Sequence, residues 1–361
     1  MYINTTSALK DFCDSLIAEN FISIDTEFFR EKTYYPQLCL IQIASKARAV
    51  IIDPLSEGMD LAILNSVLQN IKITKVFHSA KQDLEILLLL YKELPKNIFD
   101  TQIAASFCGL GCSISYEALI NNLLGIKIDK TYCLSDWTKR PLSNQQIDYA
   151  LGDVTYLYKI YPQLITSLQE MSRLPWALEE MNTLNQESNF VSNVDQAWTK
   201  LKNTHGIKID LVIKRLSAWR ELQARKHNLP RNHYLKEQYL FELAKILPIT
   251  LVELKRIKYF EKISDETGQE IVLVIQEALN ELIELDLSGK YSGQPKLNTE
   301  LLSELKRLLN LQAEKYSLPS NLIATTQDLK DFCYTDSLSG NKILNGWRLK
   351  IFGEMALNLQ K

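Results

Sequence analysis

FISIDTEFFREKTYYPQLCLIQIASKARAVIID, residues 21–53, decides the fold. FISIDTEF (21–28) and LCLIQIAS (38–45) are runs rich in Ile and Phe, and both read as strands joined by the polar connection Arg30–Pro36. ARAVIID (47–53) reads as a third strand, ended by Pro54. Three consecutive strands before the first long helix indicate a mixed sheet with helices packed on it, not a purely parallel doubly wound one. Beyond them come a helical stretch near 60–70, a strand at KITKVFHS (72–79) and a helix beginning near Ala80. Helices over 100–108, 116–124 and 143–160 follow, with Pro141 and Ser143 marking the start of the last.

The strand signal stops near residue 165. NTLNQESNFVSN (182–193) is polar and reads as a linker or a domain edge. From Ile209 to Leu285 the chain is mostly helical, with Val212, Leu216 and Trp219 at helix spacing and Leu240, Leu243 and Leu247 repeating it. SGKYSGQPKLN (288–298) is a second break, and leucine-rich helices resume over 299–361. The expected architecture is an α/β domain over 1–195, then two all-α domains over 205–287 and 296–361.

Composition agrees with two or three globular domains. The chain has 361 residues, 46% of them hydrophobic, with only 12 Gly and 10 Pro, which excludes disorder and low complexity. A net charge of −2 argues against a protein that coats nucleic acid by bulk electrostatics, though an acidic metal site can mask basic patches. Of the six cysteines, Cys108 and Cys112 come closest to a ligand pair, but no second Cys/His pair follows at zinc spacing. Reduced structural thiols are expected. The N-terminal stretch lacks a basic segment followed by an apolar one, so no signal peptide is read. The longest apolar run, Leu84 to Tyr91, is interrupted by Glu85 and is far short of the roughly 20 residues needed to span a bilayer. A soluble, cytoplasmic protein is expected, and with no exposed heptad seam, a monomer.

Three residue groups carry chemistry. Asp25 and Glu27 lie one residue apart on a strand, so both carboxylates project from one face. Asp83 lies in the first turn of a helix that follows a strand. Tyr149 and Asp153 are four apart on a helix and share a face, whereas Asp148 points about 100° away and is left to solvent. Singly each is ordinary: solvated acids at a strand end, an acid favoured by the helix dipole, a helix-face pair. Gly152, inside a helix, costs roughly 1 kcal/mol relative to Ala and suggests close approach of another element. Together, four carboxylates with no His or Cys cluster suit two Mg²⁺ or Mn²⁺ ions better than zinc, and such ions hydrolyse phosphodiesters. With an ordinary pKa of about 10, Tyr149 would orient a water rather than deprotonate it.

The motifs resemble the DEDD exonuclease superfamily in its Tyr-containing branch. YYPQLCLIQIAS after DTEF, then GIKIDKTYCLSDWTKRPLSNQQIDYALGDVTYL, are similar in sequence and order to the ribonuclease D family. AWRELQARKHNLPRNHYLKEQYLFELAKILP (218–248) resembles the HRDC helical module, and 299–361, with NGWRLKIFGEMAL, looks like a divergent second copy. The resemblance covers nearly the whole chain. It implies a ribonuclease H-like exonuclease domain with Asp25, Glu27, Asp83 and Asp153 as metal ligands and Tyr149 positioning the attacking water. It also implies RNA with a single-stranded 3′ end, such as a tRNA precursor, trimmed to 5′-mononucleotides. Lys130, Trp137, Lys139 and Arg140 are candidates for RNA contact, and Phe28 and Phe29 for wedging against terminal bases. Core packing is the competing reading for Trp137 and for either Phe. His78, at a strand end near Asp83, reads as structural. In the helical region Arg220, Arg225, Lys226 and Arg231, and also Lys255, Arg256 and Lys258, would make phosphate-binding faces or ordinary solvated ones. Two other classes are a DNA 3′–5′ exonuclease of the same fold and an inactive RNA-binding scaffold. The tandem helical modules oppose the first, and the five intact chemical residues oppose the second.

Overall fold

In the computed structural model the described residues are 1–190, 193–201, 207–287, 297–334 and 340–360. Six strands form one mixed sheet: β1 (Tyr2–Ile3), β2 (Phe21–Phe29), β3 (Gln37–Ala44), β4 (Ala49–Ile52), β5 (Thr74–Phe77) and β6 (Ile98–Asp100), in the order β1-β4-β3-β2-β5-β6. β2 runs parallel to β5, with Phe21 opposite Thr74 and Ser23 opposite Val76. β5 runs parallel to β6, while β3 and β4 are antiparallel. The mixed sheet expected from residues 21–53 is present. Its edge strands β1 and β6 are two and three residues long, too short to carry a periodic signal.

Around the sheet lie α1 (Thr6–Ser15), α2 (Ala62–Gln69), α3 (Lys81–Tyr91), α4 (Thr101–Phe107), α5 (Tyr116–Leu124), α6 (Asn144–Glu170) and α7 (Leu174–Leu184). The start of α6 is set by a capping box. The Ser143 hydroxyl accepts from the Gln146 amide at 3.2 Å and the Gln146 side chain accepts from the Ser143 amide at 3.0 Å. α6 runs ten residues past its expected end, because Ile160, Leu164 and Leu168 continue its buried stripe. All six cysteines are free thiols.

The chain divides into two compact units. One comprises Met1–Phe29, Leu38–Asn189 and Pro295–Lys361, the other Arg30–Gln37 and Phe190–Gln294. The C-terminal segment therefore does not stand as the separate third domain expected. Helix 299–316 places Leu301, Leu302, Leu305 and Leu309 in one apolar cluster with Leu164, Leu168, Ala177 and Met181 of α6 and α7, and Trp347 joins it. Burying that leucine stripe against existing helices is favoured over leaving a small module with a core of its own. The linker expected over 182–193 is partly helical, since α7 continues to Leu184. Residues 191–192, most of the break at 288–298 and the expected starts at 205 and 296 lie outside the described residues.

The described helices of the second unit are α8 (Ile207–Lys226), α9 (Arg231–Tyr234), α10 (Glu237–Ile246), α11 (Leu251–Lys255) and α12 (Asp265–Leu287). Val212, Leu216, Trp219, Leu240, Leu243, Leu254 and Ile275 form its core. Among the described residues, no helix is long and apolar enough to cross a membrane.

Candidate active site

β2 delivers the first two acids. Ile22, Ser23 and Ile24 are buried, and this anchors the strand that presents Asp25 and Glu27 on one face. α6 brings the third, and side chains from β2 and α5 hold it at that level. The Ser23 hydroxyl of β2 donates to the Val154 carbonyl at 2.8 Å. The Tyr116 hydroxyl of α5 donates to the Asp153 carbonyl at 2.6 Å and the Gly152 carbonyl at 3.0 Å. Carboxylate oxygens of Asp25, Glu27 and Asp153 consequently lie within 4.8 Å of one another.

Asp83 stands outside that trio. It is buried in the first turn of α3, and the Thr26 hydroxyl donates to it at 2.5 Å. Thr26 lies between Asp25 and Glu27, so the two acid-bearing elements are joined through the intervening residue. The junction leading into α3 is fixed by Asp100, which accepts from the Ser79 amide at 3.1 Å and the Ala80 amide at 2.9 Å while capping α4. Sequence reasoning missed Thr26, Tyr116 and Asp100. Only Thr26 carried any signal, its place between two acids.

Electrostatics defines what the cluster lacks. Burial, then the Asp153 charge, raises Asp25 well above the usual carboxylate range. Glu27 is pushed up to about 10 by burial and then by Asp25, Asp153 and Asp83. Asp153 is pushed up to about 7 by burial and then Glu117, and Asp83 is raised by burial and then Asp25. Among the described residues, the charged neighbours that act on these four acids are all acidic groups. Carboxylates crowded this way need protons or a divalent cation to be stable. An all-oxygen donor set fits Mg²⁺ or Mn²⁺. Tyr149 is held above its ordinary pKa by burial and then Asp153 and Glu27, so its phenol keeps its proton.

A model for 3′–5′ exonuclease domains matches residues 1–169, and the HRDC domain model matches residues 211–275. Ribonuclease D of Bartonella henselae is 37% identical, over 99% of this chain and 89% of its own. Ribonuclease D of Acidiphilium cryptum is 36% identical, over 99% and 92%. The chain belongs to the ribonuclease D family. The crystal structure of Escherichia coli RNase D, an exoribonuclease involved in structured RNA processing, superposes with a TM-score of 0.84 at 28% identity, covering 99% of this chain and 98% of that one. As a ribonuclease D family member with a 3′–5′ exonuclease domain, the chain is a 3′–5′ exoribonuclease.

The residues expected to touch RNA are placed unequally. Lys139 is 80% exposed beside Asp136 at 3.6 Å, and Lys130 is exposed and paired with Glu117 at 2.9 Å. Trp137, by contrast, is 3% exposed in a cluster with Cys39, Leu40 and Ile51, and its ring lies 6.2 Å from that of Tyr149. It supports the phenol from behind and presents no face for a base. Arg140 is likewise not a free phosphate ligand. Its Nε and Nη2 donate to the two carboxylate oxygens of Asp53, each at 2.7 Å, and Nη2 also reaches the Cys39 carbonyl at 2.9 Å. Phe29 packs against the Trp137 cluster, while Phe28 is half-buried. His78 is half-buried, with Nδ1 2.9 Å from the Thr101 hydroxyl and its ring edge-on to Tyr116. Gly152 is not explained by close approach: a Cβ built there meets only the Tyr156 ring at 3.6 Å. It instead lines a cavity of about 290 Å³ with Tyr132, Gln145, Tyr149 and Tyr156.

Proposed function

We propose that the enzyme trims single-stranded RNA 3′ ends one nucleotide at a time, releasing 5′-mononucleotides, with tRNA precursors among its substrates. The reading includes two divalent ions, Mg²⁺ or Mn²⁺, held by Asp25, Glu27 and Asp153 together with Asp83. The supporting observation is the convergence of the Asp25, Glu27 and Asp153 carboxylates within 4.8 Å, with no cation acting on them among the described residues. When bound, such ions activate water and neutralise charge on phosphoryl oxygens.

The chain's own residues do the aiming. Tyr149, protonated and rigidly backed by Trp137, donates a hydrogen bond to the attacking water and leaves a lone pair directed at phosphorus. Asp25 and Glu27 are rigid because their strand is buried on both sides of the sheet, and Asp153 because Ser23 and Tyr116 hold its helix. Lys130 and Lys139 supply exposed cations for the RNA backbone. In this reading the enzyme is a cytoplasmic monomer.

Digestion of 3′-labelled and 5′-labelled RNA, with and without EDTA, tests this. Immediate release of the 3′ label as mononucleotide, progressive shortening of the 5′-labelled strand, and loss of both in EDTA are expected. Release of oligonucleotides, or faster hydrolysis of a matched DNA strand, would overturn it.

A further inference from the structure

The second unit contains a polar cavity of about 450 Å³, walled by the connection that leaves β2 and by α8, α9 and the start of α10. Arg30, Tyr34, Arg220, Arg231, Asn232 and Glu237 line it. Arg220 is the unusual member. It is 4% exposed, yet its guanidinium makes one hydrogen bond, from Nη1 to the Leu235 carbonyl at 3.2 Å, and its Nε is buried without a partner. The neighbouring carboxylate of Glu221 does not serve it. That carboxylate is fully buried and already accepts from Tyr34, Arg225 and Arg231. Glu237 acts on Arg220 through its charge but forms no ion pair with it among the described residues.

A buried guanidinium with unpaired donors is costly unless an acceptor-rich anion completes it. Its planar fork matches a phosphate group. Tyr34, locked against Glu221 and stacked under the Arg225 and Arg231 guanidinium groups, makes the wall stiff before any ligand arrives. We propose that this cavity is a phosphate-binding site separate from the acid cluster, and that it takes a phosphate of the RNA being degraded, with Arg220 as its central donor. The proposal rests on the exoribonuclease reading above for the identity of the ligand.

The test is fluorescence anisotropy of a 5′-fluorescein-labelled single-stranded RNA with the full-length protein in EDTA, where no cleavage occurs. Arg220→Met should weaken binding about tenfold and lower the slope of log affinity against log salt by about 1. Glu237→Gln removes the competing acid from the rim and should tighten binding several-fold. That opposite sign is a result no misfolded protein gives, so it stands even where Arg220→Met perturbs the helices. AMP and inorganic phosphate are titrated in parallel. Displacement of RNA by either, lost in Arg220→Met, assigns the site to a terminal phosphate, and no displacement assigns it to an internucleotide one. Wild-type affinity and salt slope in both variants would overturn the site. Mg²⁺-dependent trimming by the wild-type protein in the same preparation keeps that failure distinct from failure of the nuclease reading.

Discussion

The Thr26 hydroxyl donates to the Asp83 carboxylate at 2.5 Å, joining the strand that carries Asp25 and Glu27 to the helix that carries the remaining acid. A hydrogen bond of this kind orients a metal-binding carboxylate without touching the metal. Thr26→Val keeps the side chain's shape and removes the donor. The variant should need roughly tenfold more Mg²⁺ for half-maximal RNA trimming while recovering most of its rate at saturating metal. An unchanged Mg²⁺ requirement would mean that the bond only packs the core.

The acid cluster predicts a pH-dependent effect of metal on stability. Glu27 and Asp153, pushed up to about 10 and about 7 in the folded protein, hold protons that the unfolded chain has already released. Their contribution is intact below about pH 4 and is lost as pH rises through 7 toward 10. The metal-free protein should therefore lose stability over that range. Added Mg²⁺ should raise Tm more at pH 8 than at pH 5, because binding requires deprotonated acids. Thermal scans with Mg²⁺ or EDTA at the two pH values decide the matter, and an equal Mg²⁺ effect would contradict it.

Arg140 separates a structural role from an RNA-binding one. Its paired bonds to Asp53, which is 3% exposed, leave a buried carboxylate unmatched if the arginine is removed. Arg140→Ala should cost roughly 3–5 kcal/mol in the exonuclease unit, and Arg140→Lys should restore only part of it, since one ammonium cannot reproduce the fork. For protein that remains folded at low temperature, KM for RNA should be unchanged. A rise in KM without a fall in Tm would return Arg140 to the RNA-contacting set.

What could be read from the sequence was local. The one-residue spacing of Asp25 and Glu27 and the four-residue spacing of Tyr149 and Asp153 each put two groups on one face, because strand and helix periods are intrinsic to the backbone. Pro141 and Ser143 announced the start of α6 locally too, while the reciprocal bond of Gln146 was seen only in the structure. Partnerships across the chain were not legible. Arg140 and Asp53 are 87 residues apart, Tyr116 and Asp153 are 37 apart, and neither pair leaves a periodic trace. The docking of 299–316 depends on two leucine faces being complementary in shape, whereas a sequence pattern shows only that each exists. Trp137 was ambiguous for a related reason: an aromatic beside cations reads as a stacking platform until its surroundings are known.

Glu221 sets the acid limit of the second unit. Burial alone would push its carboxyl up, but hydrogen bonds from Arg231 and Tyr34 overcome that and hold it at about 2, against an ordinary value of 4.5. The unfolded chain takes up this proton near pH 4.5 and the folded one only near pH 2. The stabilisation is therefore complete above about pH 4.5 and lost as pH falls between those values. By linkage its size is roughly 3 kcal/mol. Glu221→Gln cannot titrate, so the variant should be less stable than wild type at pH 6 and should close much of that gap by pH 3. Urea titrations at both values measure the two differences. A gap that stays constant with pH would show that Glu221 stabilises the helices through packing alone.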